Sequence, residues 1–234
     1  MRATRVLAGL AAGLLSATVL GASASAEGVR LGALIPLTGG LATYGESSLN
    51  GMRLAVEQAN EAGGVLDGEV DLVVGDTQTR SQPAVDAAKR LVTVEGVSGI
   101  LGALSSGNTI PVATSVSAVE GVPQISNAST APAITTLDDD DFLFRTVPSD
   151  AQQGVVLGNL VMDQGIESIA VLYVNNDYGK GLAESFEASY TEVGGTVTGS
   201  SAFEPNKASY RGELQDLARD ADALLLIAYP DDGG

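Results

Sequence analysis

From Val29 onward, short apolar runs alternate with segments whose apolar residues step by three and four. That alternation leaves few architectures open. It specifies an α/β chain with Rossmann-like parallel sheets covered by helices on both faces. Strands are expected at 29–36, 70–75, 99–104, 122–126 and 142–145, and again at 168–174, 196–201 and 223–229. A first helix runs through Leu49, Met52, Val56 and Ala59 and ends at Gly63-Gly64. A second carries Val85, Ala88, Leu91 and Val92, with Pro83 tolerated in its first turn. Val112, Val116 and Val119 define a β-branched segment of helical spacing, and further helices are expected near 150–164, 179–193 and 210–219.

The acidic stretch Asp138 to Asp141 breaks the rhythm, and the chain is expected to cross between two units near 146–149. The expected division is a leader at 1–26, a first lobe at 27–146 and part of a second lobe at 147–234. A last apolar strand with no helix over it is poor architecture, because parallel sheets bury both faces. The chain therefore reads as a piece of a longer protein.

The leader has a basic start (Arg2, Arg5), the uncharged apolar run Val6 to Gly21, and a small-residue cleavage site at Ala24-Ser25-Ala26. The run is shorter than the roughly 18 residues of a membrane span. Cleavage after Ala26 and a periplasmic location are expected. The chain carries 29 acidic against 12 basic residues, a net charge of −17, and cleavage would remove two of the cations and no carboxylate. Such a surface repels phosphate backbones and anionic lipid, so no nucleic-acid partner and no membrane-surface role are expected. With no histidine and no cysteine, Ser-His and Cys-His nucleophiles, disulfides and thiolate metal sites are excluded.

Ligands of doubly wound sheets sit at the carboxyl ends of the strands, beside helix N-termini. That rule selects 38–45, 105–108, 127–131, 175–179 and the segment from Tyr229 on. These loops offer Ser106 and Thr130, whose hydroxyls suit a carboxylate or simply cap helices. They also offer Tyr44, Tyr178 and Tyr229, half of the six tyrosines in the chain, which suit a ligand pocket or plain packing between units. Asp138 to Asp141 lacks the glycine and distal glutamate of a calcium loop and reads as a solvated turn. No Gly-Lys-Ser/Thr and no Gly-x-Gly-x-x-Gly stands where a nucleotide would need it. No metal, cofactor or catalytic residue is expected. A hydrolase using paired carboxylates would need two facing acids in these loops, and 38–45, 105–108, 127–131 and 175–179 hold only Asp177.

The segments Leu34-Ile-Pro-Leu-Thr-Gly-Gly, Tyr44-Gly45, Ala62-Gly-Gly-Val65, Gly102-Ala-Leu-Ser-Ser-Gly107, Ser129-Thr-Ala-Pro132, Phe144-Arg-Thr146, Asp150-Ala-Gln-Gln-Gly154 and Asn176-Asp-Tyr-Gly-Lys-Gly-Leu-Ala183 occur in this order. Together they resemble the Leu/Ile/Val-binding family of periplasmic solute-binding proteins, which feed ABC importers. The resemblance implies a two-lobed type I binding-protein fold, a monomer that is not an enzyme. It would close over an amino acid or related amide and deliver it to a membrane permease. By the same resemblance Ser106 would bond the ligand carboxylate, Ala128 would offer its carbonyl to the ammonium, and Thr130 would contact both groups. Tyr44 would flank the side-chain pocket, and Tyr178 and Tyr229 would close over it from the second lobe. Some members carry a cystine where this chain has Thr79 and Ser105, and the family's acidic partner for the ammonium lies beyond Tyr229. The other reading left open is an extracytoplasmic sensing domain for amino acids or amides.

Overall fold

The computed structural model describes residues 28–233, so the expected leader lies outside the described residues. Two parallel sheets organise it. The first has five strands in the order β2-β1-β3-β4-β5, formed by β1 (Val29–Ile35), β2 (Val70–Asp76), β3 (Gly99–Gly102), β4 (Gln124–Ser126) and β5 (Leu143–Arg145). The second has three in the order β7-β6-β8, from β6 (Ser168–Val174), β7 (Thr196–Phe203) and β8 (Ala223–Ile227).

Alternation along β1 explains why both faces of the first sheet need cover. Leu34 faces a core built with Ala84, Ala88 and Leu91 of α2 (Ser81–Thr93) and with Val112 and Val116. Its neighbours Ala33 and Ile35 face the opposite way, onto Leu49 and Met52 of α1 (Ala42–Glu61). The second sheet repeats the arrangement around β6. Ile169 and Val171 pack on Leu182, Phe186 and Tyr190 of α6 (Asp177–Glu192). Leu172 and Val174 pack with Phe203 toward Leu214 and Leu217 of α7 (Arg211–Leu217). The chain passes between the sheets through α5 (Asp150–Asp163), which lies against α6. A short α8 (Pro230–Gly233) follows β8.

Several expected boundaries shift. The β-branched segment is helical, but not uniformly: α3 (Ser106–Val112) passes through a π-helical stretch, Ala113–Ser117, into α4 (Ala118–Glu120). Val112 and Val116 are buried, whereas Val119 is exposed, because the wider π turn rotates the following residues off the core stripe. Strand β3 stops at Gly102 rather than 104, and Leu104 has a positive φ of 72° that turns the chain into α3. Strand β7 runs two residues further than expected, to Phe203, which is buried in the core. The Asp138 to Asp141 stretch is a turn in which Asp140 and Asp141 take positive φ values of 51° and 61°.

Gly45 and Gly179 perform the same task in the two halves. Each lies in the first turns of the helix after a central strand, and a Cβ on either would stand 1.7 Å from the Pro36 carbonyl oxygen or 2.1 Å from that of Val174. Only a residue without a side chain lets the helix start that close to the strand end.

Candidate binding site

Strand β1 lies between β2 and β3, and β6 between β7 and β8, so each sheet reverses its strand order at a central strand. Crevices form at the carboxyl ends of such strands, and one cavity of about 330 Å³ opens there between the two sheets. Its wall includes Leu41, Tyr44, Leu104, Ser105, Ser106, Ala128 and Thr130 from the first half. Gln153, Tyr178, Ala228, Tyr229 and Pro230 complete it from the second. All the residues singled out from the sequence, Tyr44, Ser106, Ala128, Thr130, Tyr178 and Tyr229, therefore line one space.

Neither Ser106 nor Thr130 caps a helix. Ser106 is buried and its Oγ accepts a hydrogen bond from the Ala131 N–H at 3.2 Å. The Thr130 hydroxyl donates to Asp150 Oδ2 at 2.6 Å, and the Asp150 N–H donates to the Thr130 carbonyl at 2.8 Å. Behind them runs a buried chain of hydroxyls: Ser126 Oγ donates to Ser129 Oγ at 2.7 Å, Ser129 Oγ donates to the Leu104 carbonyl at 3.0 Å, and Ser129 and Thr109 share a 2.7 Å bond. That network ties the loop after β4 to the loop after β3, so the two walls that carry Thr130 and Ser106 move as one.

The loop that carries Leu41 and Tyr44 is held by Asp76 at the end of β2. Its carboxylate accepts from Leu37 N–H at 2.9 Å, Thr38 N–H at 3.3 Å, the Thr38 hydroxyl at 2.7 Å and Gln78 N–H at 2.8 Å. Burial pushes the Asp76 carboxyl up, but the bonds from Gln78, Thr38 and Leu37 outweigh it and hold the group below the ordinary aspartate value. Thr79, at the position where some relatives would have a cysteine, accepts from Leu41 N–H at 3.2 Å and donates to the Thr38 carbonyl at 3.2 Å. The first turns of α2 and α3 are joined by Ser81, whose hydroxyl donates to the Gly107 carbonyl at 2.7 Å.

On the opposite wall, Tyr178 and Tyr229 stack. Asn176 holds the pair in place: its Oδ1 caps α6 by accepting from Gly179 N–H at 2.9 Å, while its Nδ2 donates to the Tyr229 hydroxyl oxygen at 3.2 Å. Burial pushes both phenols above the ordinary tyrosine value, so they present neutral rings and hydroxyls.

The sequence reading assigns no site role to Asp150, Gln153, Asn176 or Asp76, although the first three stand in the segments that carry the resemblance. Asp76 was marked by its place as the last residue of a strand, and Asp150 by standing first in a helix after the crossing. Burial pushes the Asp150 carboxyl up, and the Thr130 hydroxyl and the Arg145 guanidinium partly offset this. Arg145 itself is lowered by burial, with Asp150 opposing. It donates to the Ala131 carbonyl at 2.9 Å and to Thr135 Oγ1. Among the described residues no cluster of acidic side chains is placed to hold a metal ion, and no helix is long and apolar enough to cross a membrane.

Comparison with known proteins finds relatives of the same fold. A relative described as Leu/Ile/Val-binding protein homolog 7, from Brucella suis biovar 1 (strain 1330), is 31% identical over 93% of this chain and 56% of its own length. Two solved structures are similar. One is a leucine binding protein, LivK, from Thermotoga maritima MSB8, with a TM-score of 0.76 and 27% identity over 85% of this chain and 55% of that one. The other is the branched-chain amino acid transporter substrate binding protein LivJ from Streptococcus pneumoniae, in complex with isoleucine, with a TM-score of 0.74 and 28% identity over 86% of this chain and 57% of that one. The chain thus spans little more than half the length of the relatives it matches. Its fold is that of type I periplasmic binding proteins, two lobes of parallel sheet and helix. The pattern of the family described as periplasmic binding protein matches residues 28–234, and the chain belongs to that family.

Proposed function

We propose that the protein captures a small α-amino acid, of branched-chain type, between its two lobes in the periplasm and hands it to the membrane permease of an ABC importer. The first lobe is taken as 27–146 and the partial second lobe as 147–234, with the leader removed after Ala26. The observation that carries the reading is the meeting of Ser106, Ala128 and Thr130 in one cavity, opposite the stacked Tyr178 and Tyr229. Polar groups line one side and aromatic surface the other, which is the pattern a molecule with a zwitterionic head and an apolar tail requires. A volume of about 330 Å³ lies at the small end of ligand pockets, roughly 300–1,000 Å³. The isoleucine bound by the pneumococcal protein is a ligand of that size and character.

Isothermal titration of the protein with leucine, isoleucine and valine, and with other amino acids, amides, urea and aromatic acids, tests the reading. Binding of a branched-chain amino acid is expected. In Ser106→Ala the affinity should fall by about ten- to a hundredfold, since a hydrogen bond to a charged group contributes about 1.5–3 kcal/mol. Absence of binding to any amino acid would overturn it.

A further inference from the structure

We propose that Asp150 is the positioning residue that makes the cavity selective for a ligand bearing an ammonium group beside its carboxylate, because it fixes the direction of the Thr130 hydroxyl. The inference rests on the amino-acid reading above and names the side chain that enforces it.

A hydroxyl has one proton to give and two lone pairs to receive with. At Thr130 the proton is committed: it lies on Asp150 Oδ2 at 2.6 Å, in the short range of charge-assisted bonds. The two residues clasp each other twice, because the Asp150 N–H donates back to the Thr130 carbonyl at 2.8 Å. The clasp is dry, with Asp150 only 1% exposed at the start of α5. Arg145 does not draw the carboxylate away, since its guanidinium is engaged with the Ala131 carbonyl and Thr135. The second carboxylate oxygen, Oδ1, is buried without a hydrogen-bond partner in the structure. Its negative charge stands behind Thr130, only partly offset by the Arg145 guanidinium.

Only lone pairs of the Thr130 hydroxyl are left for the cavity that it lines. They accept from an N–H and repel an oxyanion. Ser106 has the opposite polarity: its oxygen already receives the Ala131 N–H at 3.2 Å, and its own proton has no acceptor among the described residues. Two hydroxyls that look interchangeable in the sequence thus differ in kind. Ser106 offers a proton to a carboxylate, and Thr130 offers electron pairs to an ammonium.

The test compares L-leucine with its 2-hydroxy acid analogue, 2-hydroxy-4-methylpentanoate, which keeps the carboxylate and tail but carries a hydroxyl for the ammonium. In Asp150→Asn the amide can donate to the Thr130 oxygen, freeing the threonine proton to point into the cavity. The preference for leucine over the hydroxy acid should fall by about ten- to a hundredfold, with the hydroxy acid binding no worse than in the wild type. A purely structural role would weaken both ligands together. Thr130→Val, which removes the hydroxyl and leaves Asp150, should lose the same preference, and Thr130→Ser should restore it; these two decide the matter should the Asn variant not fold. If the wild type binds leucine and the variants keep its preference, the Asp150 assignment is overturned and the amino-acid reading stands. If the wild type binds no amino acid in the titrations above, the amino-acid reading falls and this inference with it; if it prefers another amino acid, that one and its 2-hydroxy acid replace the leucine pair.

Discussion

The rings of Tyr178 and Tyr229 stack with centroids 5.5 Å apart and planes 17° from parallel, joining the first turn of α6 to the end of β8. An offset aromatic pair contributes about 0.5–1.5 kcal/mol beyond its buried area. Tyr178→Phe keeps the stack and should leave stability and ligand affinity close to the wild type. Tyr178→Ala should lower both, stability by at least about 1 kcal/mol. Chemical denaturation and calorimetry read the two effects separately, and an Ala variant that behaves like the Phe variant would show that the stack contributes nothing.

Asp76 and Thr38 lead to a prediction about acid. Asp76 binds its proton less tightly in the folded chain than in the unfolded one. Its stabilisation is therefore fully present above the unfolded value of 3.8 and is lost as pH falls through the lower folded value. Asp150, whose proton is held more tightly when folded, has the opposite slope: its ionisation costs stability at neutral pH, and the cost disappears as pH falls. Asp76→Asn should destabilise the protein by about 1–2 kcal/mol at pH 7, a modest figure because the carboxylate is partly solvated. The difference from wild type should shrink toward zero at the acid end. Urea midpoints measured across pH check this, and a pH-independent difference would mean that the charge of Asp76 plays no part.

The cavity wall was legible because strand ends can be located from periodicity alone, and a doubly wound sheet fixes which ends carry the crevice. Tyr44, Ser106, Ala128, Thr130, Tyr178 and Tyr229 follow from that rule and from the resemblance of the surrounding segments. What periodicity does not encode is which donors and acceptors a side chain has already used. Ser106 and Thr130 read as caps or ligand groups of the same type, and only the Ala131 N–H on one and the Asp150 carboxylate on the other set them apart. Asp150 was hidden for a related reason: it is a helix-start residue by position, and its partner lies twenty residues away in the other lobe. Nor does spacing reveal that Val119 is exposed while Val112 and Val116 are buried, because the residues of the intervening π-helical stretch look like any others of helical spacing.

A last prediction concerns how the lobes meet. A Cβ on Gly181 of α6 would stand 2.6 Å from Cδ of Pro132, in the turn after β4. Gly107 and Asn176 approach each other at a second point, where an added Cβ would make an ordinary contact of 3.4 Å. The proline ring cannot swing aside as a flexible side chain would, so Gly181→Ala must move one backbone relative to the other. Pro132 belongs to the first lobe and Gly181 to the second, and neither core lies between them. Neither Pro132 nor Gly181 is part of a buried hydrophobic cluster, so the strain should appear in closure rather than in folding. Gly181→Ala should leave the thermal midpoint of the unliganded protein unchanged while weakening ligand binding by about tenfold, or about 1.4 kcal/mol. Gly107→Ala, with room for its methyl, should have a smaller effect. Calorimetry and thermal denaturation on the same preparations distinguish the cases. If Gly181→Ala lowers stability and leaves affinity intact, the contact is part of the folded core and does not govern the approach of the lobes.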